Sequence, residues 1–296
     1  MVWGGNRLCP YKGLADSSEP IGESWEVSAV PSSPSVIANG EYAGRNLIAV
    51  ISEAPEDILG QAVNEQYHGQ LPLLVKFIDA KPGSYLYAGF KQEITPEAYK
   101  RHVADGTITD VLARHEVKTG DVFYLPAGRV HAIGAGILLA EVQQSSDVTY
   151  RIFDYNRPGM DGKPRELHTE LASQALDYHV ESEYRTIYDG NINRANLIVD
   201  SPYFSVRVTE TADLFHRNLL KYDSFVITMC IEGDCHIRVR ATGEMTLLRE
   251  GCSVLIPAVL ADYDVIPVKQ RTRFLDAFID NMDKSLVGKV TRFLHF

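Results

Sequence analysis

One histidine in this sequence stands in a setting that could support metal chemistry. Gly120 and Asp121 are followed by four residues of mostly β type, then by Pro126, Gly128 and His131, a Gly-Asp-x4-Pro-x-Gly-x2-His spacing. Glycine and proline set the turns around a short strand, and Gly128 relieves the backbone where it must bend tightly. His131 then begins the next strand, directed into the fold. A neutral imidazole on a rigid strand is a good zinc ligand, but catalytic zinc needs about three protein donors. The competing reading is a histidine satisfied within a core. Further along, Glu141 lies two residues from both Leu139 and Gln143, so in a strand the three share one face. An acid at that place faces a pocket or sits on its rim.

The elements that must hold these residues are mostly strands. Short runs rich in Val, Ile, Tyr and Phe occur at 71–78, 85–87, 122–125, 137–142, 203–208, 224–231, 236–239 and 253–256, punctuated by Gly, Pro and Asp. Close turns between such runs suggest a sandwich or barrel. Helical signals cluster in the middle. Thr95-Pro96-Glu97 reads as a cap, a first-position proline and a first-turn acid, with a stop at Asp105-Gly106. A second short helix is expected over 110–115 and another over 170–178, opened by Thr169. The stretch from Tyr178 to about Ala195 reads as a connection.

A faint repeat divides the chain. Gly120 to Pro126 has a partner in Gly251 to Pro257, each a glycine, a polar or small residue, four residues of mostly β type and a proline. These read as equivalent hairpins of two similar β domains, the first over 1–180 and the second over 195–296. Counting from the shared glycine, Val259 stands where Gly128 stands and Asp262 where His131 stands. The second domain is therefore expected to be a packing partner without a metal motif.

Composition narrows the function classes. Hydrophobic residues make up 45% of the 296 residues and charged residues 23%, the balance of a packed globular protein. A net charge of -10 without a Lys/Arg block argues against nucleic acid, though not against a small phosphorylated sugar, which needs only a cation or two. No apolar run is long enough to span a membrane, and no signal peptide is visible, so a cytoplasmic protein is expected. Cys9, Cys230, Cys235 and Cys252 are scattered and are expected to be buried thiols. The oligomeric state is not legible.

The motif ending at His131 resembles the second sequence motif of the cupins, jelly-roll barrels that hold a metal in their mouth. Downstream, the run from Gly128 to Tyr155, with Glu141-Val-Gln-Gln-Ser-Ser-Asp147-Val-Thr-Tyr-Arg151-Ile-Phe-Asp154 at its centre, is similar to the short bacterial type I mannose-6-phosphate isomerases. Val2-Trp-Gly-Gly5, Gly22-Glu-Ser-Trp25, Pro72-Leu-Leu-Val-Lys76 and Arg165-Glu-Leu-His168 match as well. The resemblance implies two cupin-type jelly-roll barrels with helices inserted in the N-terminal half. It also implies a zinc-dependent isomerase interconverting mannose 6-phosphate and fructose 6-phosphate. His131 matches a zinc ligand of the family, Arg151 the arginine assigned to catalysis, and Lys76 a lysine near the site. Arg151 would steady the negative charge of an enediolate, or make an ordinary ion pair. Lys76 would meet a sugar hydroxyl or phosphate, or cap its strand.

The pattern breaks in one place. The family carries a Gln-x-His-Pro segment and a later glutamate that complete the zinc site, whereas here Lys76-Phe-Ile-Asp-Ala80 runs straight into Lys81-Pro-Gly-Ser-Tyr85. Gln66-Tyr67-His68 does not replace the lost ligands: it precedes Lys76, lacks the proline and sits in a polar stretch. Two outcomes stay open, an isomerase whose full chain holds more residues, or a non-catalytic, vestigial sugar-phosphate-binding cupin. The chain as written is expected to bind zinc weakly.

Overall fold

The described residues are 3–4, 23–78, 85–134, 139–145, 149–154, 163 and 165–281 of a computed structural model, and they form a mainly β protein. In chain order the strands are β1 (Trp3–Gly4), β2 (Glu23–Val27), β3 (Leu73–Ile78), β4 (Tyr85–Phe90), β5 (Leu112–Glu116), β6 (His131–Ile133), β7 (Leu139–Gln144) and β8 (Ala195–Asp200). They continue with β9 (Ser205–Thr211), β10 (Phe215–Asn218), β11 (Val226–Glu232), β12 (Cys235–Val239), β13 (Met245–Leu248), β14 (Ser253–Ile256), β15 (Asp262–Pro267) and β16 (Thr272–Phe278). Helices are α1 (Leu47–Glu53), α2 (Pro55–Leu59), α3 (Gln61–Tyr67), α4 (Pro96–Ala104) and α5 (Thr169–Ala175). Among the described residues no helix is long and apolar enough to cross a membrane.

Two compact units divide the chain. The first draws its described residues from Met1–Ile78, Ala140–Ser146 and Tyr188–Phe296. It contains a six-stranded sheet, β1-β14-β11-β16-β9-β8, and a four-stranded one, β10-β15-β12-β13, both antiparallel. Strand alternation sends Val226 and Cys230 of β11, Phe274 and Phe278 of β16, Ile237 and Val239 of β12, and Tyr263 and Val265 of β15 into one shared core. Burying each such side chain contributes about 1.5–3 kcal/mol, which is what holds the two sheets together. A third sheet of the same unit has the order β2-β3-β7.

Helices α1 to α3, which the sequence reading did not anticipate, also lie in this unit. Asn46 caps α1 by accepting from the Ile48 amide at 2.8 Å, and Pro55 opens α2. Asp223 caps α3 from far along the chain, its two carboxylate oxygens accepting from the amides of Gln61 at 3.2 Å and Ala62 at 2.8 Å. Gly60 makes this approach possible: its φ is +94°, and a Cβ there would lie 2.1 Å from the Asp223 carbonyl oxygen.

The second unit takes its described residues from Asp79–Leu139 and Asp147–Ile187. It contains the sheet β5-β4-β6 with α4 and α5. Its core joins Phe90, Tyr99, Ile108, Val111, Leu112, Val130 and Ala172. Helix α4 has the expected start, with Thr95 Oγ1 accepting from the Ala98 amide at 3.2 Å and Pro96 at the first position. Helix α5 spans Thr169–Ala175, beginning one residue before the expected 170 and ending short of 178, with His168 rather than Thr169 at the cap position.

Three expectations need correction. Residues 110–115 are not a helix: a 3-10 turn over Ile108–Asp110 leads into β5, which pairs with β4 and buries Leu112 and Ala113. The 122–125 run forms no strand, only an isolated bridge between Phe123 and Arg185. Cys230 and Cys235 are free and buried as expected, whereas Cys252 is disulfide-bonded. The two copies of the repeat are not equivalent hairpins, since 253–256 forms β14 and 122–125 forms no strand, but they share two features. Gly120 and Gly251 both take positive φ, at 93° and 79°, and His131 and Asp262 each open a strand, β6 and β15.

Candidate functional site

Positioning of His131 begins at its turn. Gly128 has φ +85°, its carbonyl accepts from the Asp177 amide at 2.8 Å, and a Cβ on it would lie 2.4 Å from the Ala175 carbonyl oxygen. The Arg129 amide closes the turn onto the Pro126 carbonyl at 3.0 Å. Its guanidinium, almost buried, pairs with Glu181 at 2.9 Å and Asp177 at 3.5 Å and lies over the Tyr184 ring. Asp121 serves the other end of the motif, accepting from the Lys118 amide at 3.1 Å and from Arg185 at 3.3 Å. The motif is therefore clamped at both ends before any ligand is considered.

From that turn His131 enters β6 directly opposite Ala88 of β4. Contrary to the inward direction expected from the motif, its side chain is exposed, and Nδ1 lies 3.1 Å from the Arg129 carbonyl oxygen. With the proton on Nδ1 this is a hydrogen bond, and Nε2 keeps a free lone pair, the tautomer a metal ligand requires. A second imidazole shares this sheet. His115 of β5 is opposite Leu86, whose other neighbour is Ile133, two residues on from His131. Nothing in the spacing of the sequence singled out His115. Its Nε2 lies 3.2 Å from the Ala88 carbonyl oxygen, and its ring packs against Phe123 and Tyr184. These contacts occupy it within the sheet.

Arg151, in the same unit, is half-buried and clasped by the Arg165-to-His168 segment. Its amide donates to His168 Nδ1 at 3.0 Å, its carbonyl accepts from the His168 amide at 2.7 Å, and Nη1 reaches the Glu166 carbonyl at 3.4 Å. Arg165 pairs through Nε at 2.7 Å, and through a second guanidinium nitrogen, with buried Asp154. That hydrogen-bonded pairing holds the Arg165 guanidinium above its usual pKa. Two stretches singled out separately in the sequence thus form one interlocked loop. Among the described residues no hydrogen bond or ion pair joins Arg151 to His131.

Lys76 and Glu141 belong to the first unit, on the neighbouring strands β3 and β7. Lys76 is opposite Trp25 of β2, and its side chain lies outside the described residues. Glu141 is half-buried, on the face of Leu139 and Gln143. The junction at 79–84 also lies outside the described residues. His68 caps the C-terminal end of α3 in the left-handed conformation, so the Gln66-Tyr67-His68 triplet does not form a strand pair. Among the described residues no three His, Cys, Asp or Glu side chains cluster to hold a metal ion. The donors described around His131 do not make up a zinc site.

No family model matches the chain. YvyI of Bacillus subtilis, provisionally named a mannose-6-phosphate isomerase, is 30% identical over 303 residues, covering 89% of this chain and 92% of YvyI. The mannose-6-phosphate isomerase of Streptococcus mutans is 28% identical, covering 88% of this chain and 90% of its own length. In structure, the mannose 6-phosphate isomerase of Bacillus subtilis matches with a TM-score of 0.77 at 24% identity, over 94% of this chain and 98% of that one. A variant of phosphomannose isomerase from Salmonella typhimurium matches at 0.73 and 14% identity, over 95% of this chain and all of that one. The 303 positions of the YvyI match exceed the 296 residues of this chain, so YvyI holds residues within the matched stretch that have no counterpart here.

Proposed function

Because the chain belongs to the type I mannose-6-phosphate isomerase family, we propose that it takes mannose 6-phosphate and fructose 6-phosphate as ligands and that the sequence as written isomerises them poorly. The fold we propose is two cupin-type barrels, an N-terminal one over 1–180 carrying the site and a C-terminal one over 195–296 without a metal motif. It would work in the cytoplasm on a diffusible sugar phosphate.

The observation that carries the reading is the contrast between two parts of the site. On one side, a clamped turn presents His131, and Arg151 is held by the Glu166 carbonyl and by His168. On the other, the donors described around His131 are too few to hold zinc. Arg151 would set a fixed positive fork against the charge that develops on two sugar oxygens as a proton moves between C2 and C1. Lys76 and Glu141 would contact the sugar phosphate from their adjacent strands. The metal in these isomerases supplies Lewis-acid stabilisation, and the donors described here do not fit zinc. Without that stabilisation the rate is expected to fall by at least about 10²–10³-fold, the cost of losing one preorganised charge-stabilising contact.

The donor deficit gives specific support to a second reading, a binding protein with no isomerase activity. A coupled assay on protein verified by mass as this 296-residue chain, paired with metal analysis and calorimetric titration of mannose 6-phosphate, separates the readings. Binding with slow turnover supports the first, and binding without turnover the second. Stoichiometric zinc with relative-like turnover would sink the claim of impairment, and absence of binding would sink both.

A further inference from the structure

Arg151 stands on a stretch with no helix or strand of its own, and one residue supplies both anchors of its backbone. Its amide donates to His168 Nδ1 at 3.0 Å, and its carbonyl accepts from the His168 amide at 2.7 Å. Among the described residues no other hydrogen bond holds the Arg151 backbone. His168 is itself fixed from the far side. Its carbonyl accepts at 2.8 Å from the amide of Ala172 in α5, and Ala172 is buried in the core of the second unit. Lys100 of α4 pairs with Glu170 of the same helix at 2.6 Å. Arg151 is thus tied to the packed helices of its unit through His168.

The bond to Nδ1 dictates the state of the ring. A backbone N–H can only donate, so Nδ1 must offer its lone pair, and the proton of the neutral imidazole sits on Nε2. The opposite tautomer would set two donors against each other, and the clasp on Arg151 would open. The ring is half-buried beside Tyr150, with centroids 6.2 Å apart. Among the described residues neither ring nitrogen has another hydrogen-bond partner, so the one bond this side chain makes is the one to Arg151. A guanidinium that must meet sugar oxygens has to be held to within roughly 0.5 Å, and on an irregular stretch that precision has to come from outside it.

We propose that His168 is a positioning residue for Arg151: as the Nε2–H tautomer it fixes the backbone from which the guanidinium reaches the sugar phosphate. The inference rests on the reading of Arg151 as a ligand contact. Two amide substitutions separate the ring nitrogens. In His168→Asn the side-chain oxygen can take the place of Nδ1, whereas in His168→Gln it lies at the reach of Nε2. Calorimetric titration of the full chain with mannose 6-phosphate should find His168→Asn close to the parent. His168→Gln should be weaker by roughly two- to tenfold, the scale of one hydrogen bond. In an Arg151→Met background His168→Gln should have no further effect, because the group it positions is gone. A role in general stability would weaken binding equally in both backgrounds, and that result overturns the inference. If Arg151→Met alone abolishes binding, the contrast between Asn and Gln decides. Nitrogen NMR of histidine-labelled protein, with His168 assigned by the signal lost in His168→Asn, gives a readout that needs no ligand. An unprotonated Nδ1 and a protonated Nε2 are expected at neutral pH, and the reverse tautomer overturns the inference. A parent chain that binds mannose 6-phosphate as tightly as His168→Gln does also overturns it, while leaving the ligand reading of Arg151 in place. A parent chain that binds no mannose 6-phosphate sinks that reading and this inference with it.

Discussion

At Gly128 a side chain would have nowhere to go. The left-handed φ and the 2.4 Å approach of the Ala175 carbonyl oxygen together exclude a Cβ. Gly128→Ala is therefore expected to cost about 1–3 kcal/mol in urea unfolding, the range for a strained left-handed backbone. A cost below about 0.5 kcal/mol would mean that the turn is not clamped. The same constraint explains why the turn leading to His131 could be read from sequence. A turn this tight leaves glycine and proline at fixed spacing, and the histidine follows them. His115 left no such trace, because its place in the same sheet as His131 depends on both strands pairing with β4, not on any local constraint. Arg151 stood out only through resemblance; its contacts with Glu166 and His168 cross a stretch of sequence no periodicity links.

Elements were legible where local chemistry and tertiary pairing agreed. Helix α4 has cap, proline and stop in sequence, and it formed as read. Residues 110–115 carry helix-compatible types, but edge pairing with β4 and burial of Leu112 outweigh local propensity. Helices α1 to α3 are five to seven residues long, too short for a convincing period, and α3 takes its cap from Asp223. Asp223→Ala should accordingly destabilise the protein by about 1 kcal/mol, the usual cost of losing a cap. Unchanged urea midpoints would refute that role. Between β9 and β16, Glu210 faces Arg273, whose hydrogen bonds hold its carboxyl below the ordinary value of 4.5. Below that value the unfolded chain takes up the proton first, so this contribution to stability is present at neutral pH and fades as pH falls through the folded pKa. Glu210→Gln should lower stability at pH 7 by up to about 1 kcal/mol and flatten its decline toward acid, as read from unfolding at a series of pH values.

For the molecule as a whole, the sequence showed a β-rich chain, a repeat and an interruption near residue 80, but not how the chain divides. The compact units interleave: residues 140–146 return to the first unit between two pieces of the second. No composition shift marks such a boundary. The interruption bears on function most directly. Inserting a family-like segment between Ala80 and Lys81 is expected to restore about one zinc per chain together with isomerase turnover, measured by metal analysis and coupled assay. A restored chain that still binds no zinc would show that the deficit lies elsewhere.

Strand β16 occupies the middle of its sheet, with β11 on one side and β9 on the other, although it is the last strand of the described chain. During synthesis the ribosome delivers β9 and β11 well before the strand that joins them. Until then each waits with an unpaired edge, and Asp276, around which Arg217, Thr228 and Tyr263 gather, has not been made. The sheet therefore cannot close before β16 has emerged, and a chain cut short before residue 272 would expose both edges and be prone to aggregation.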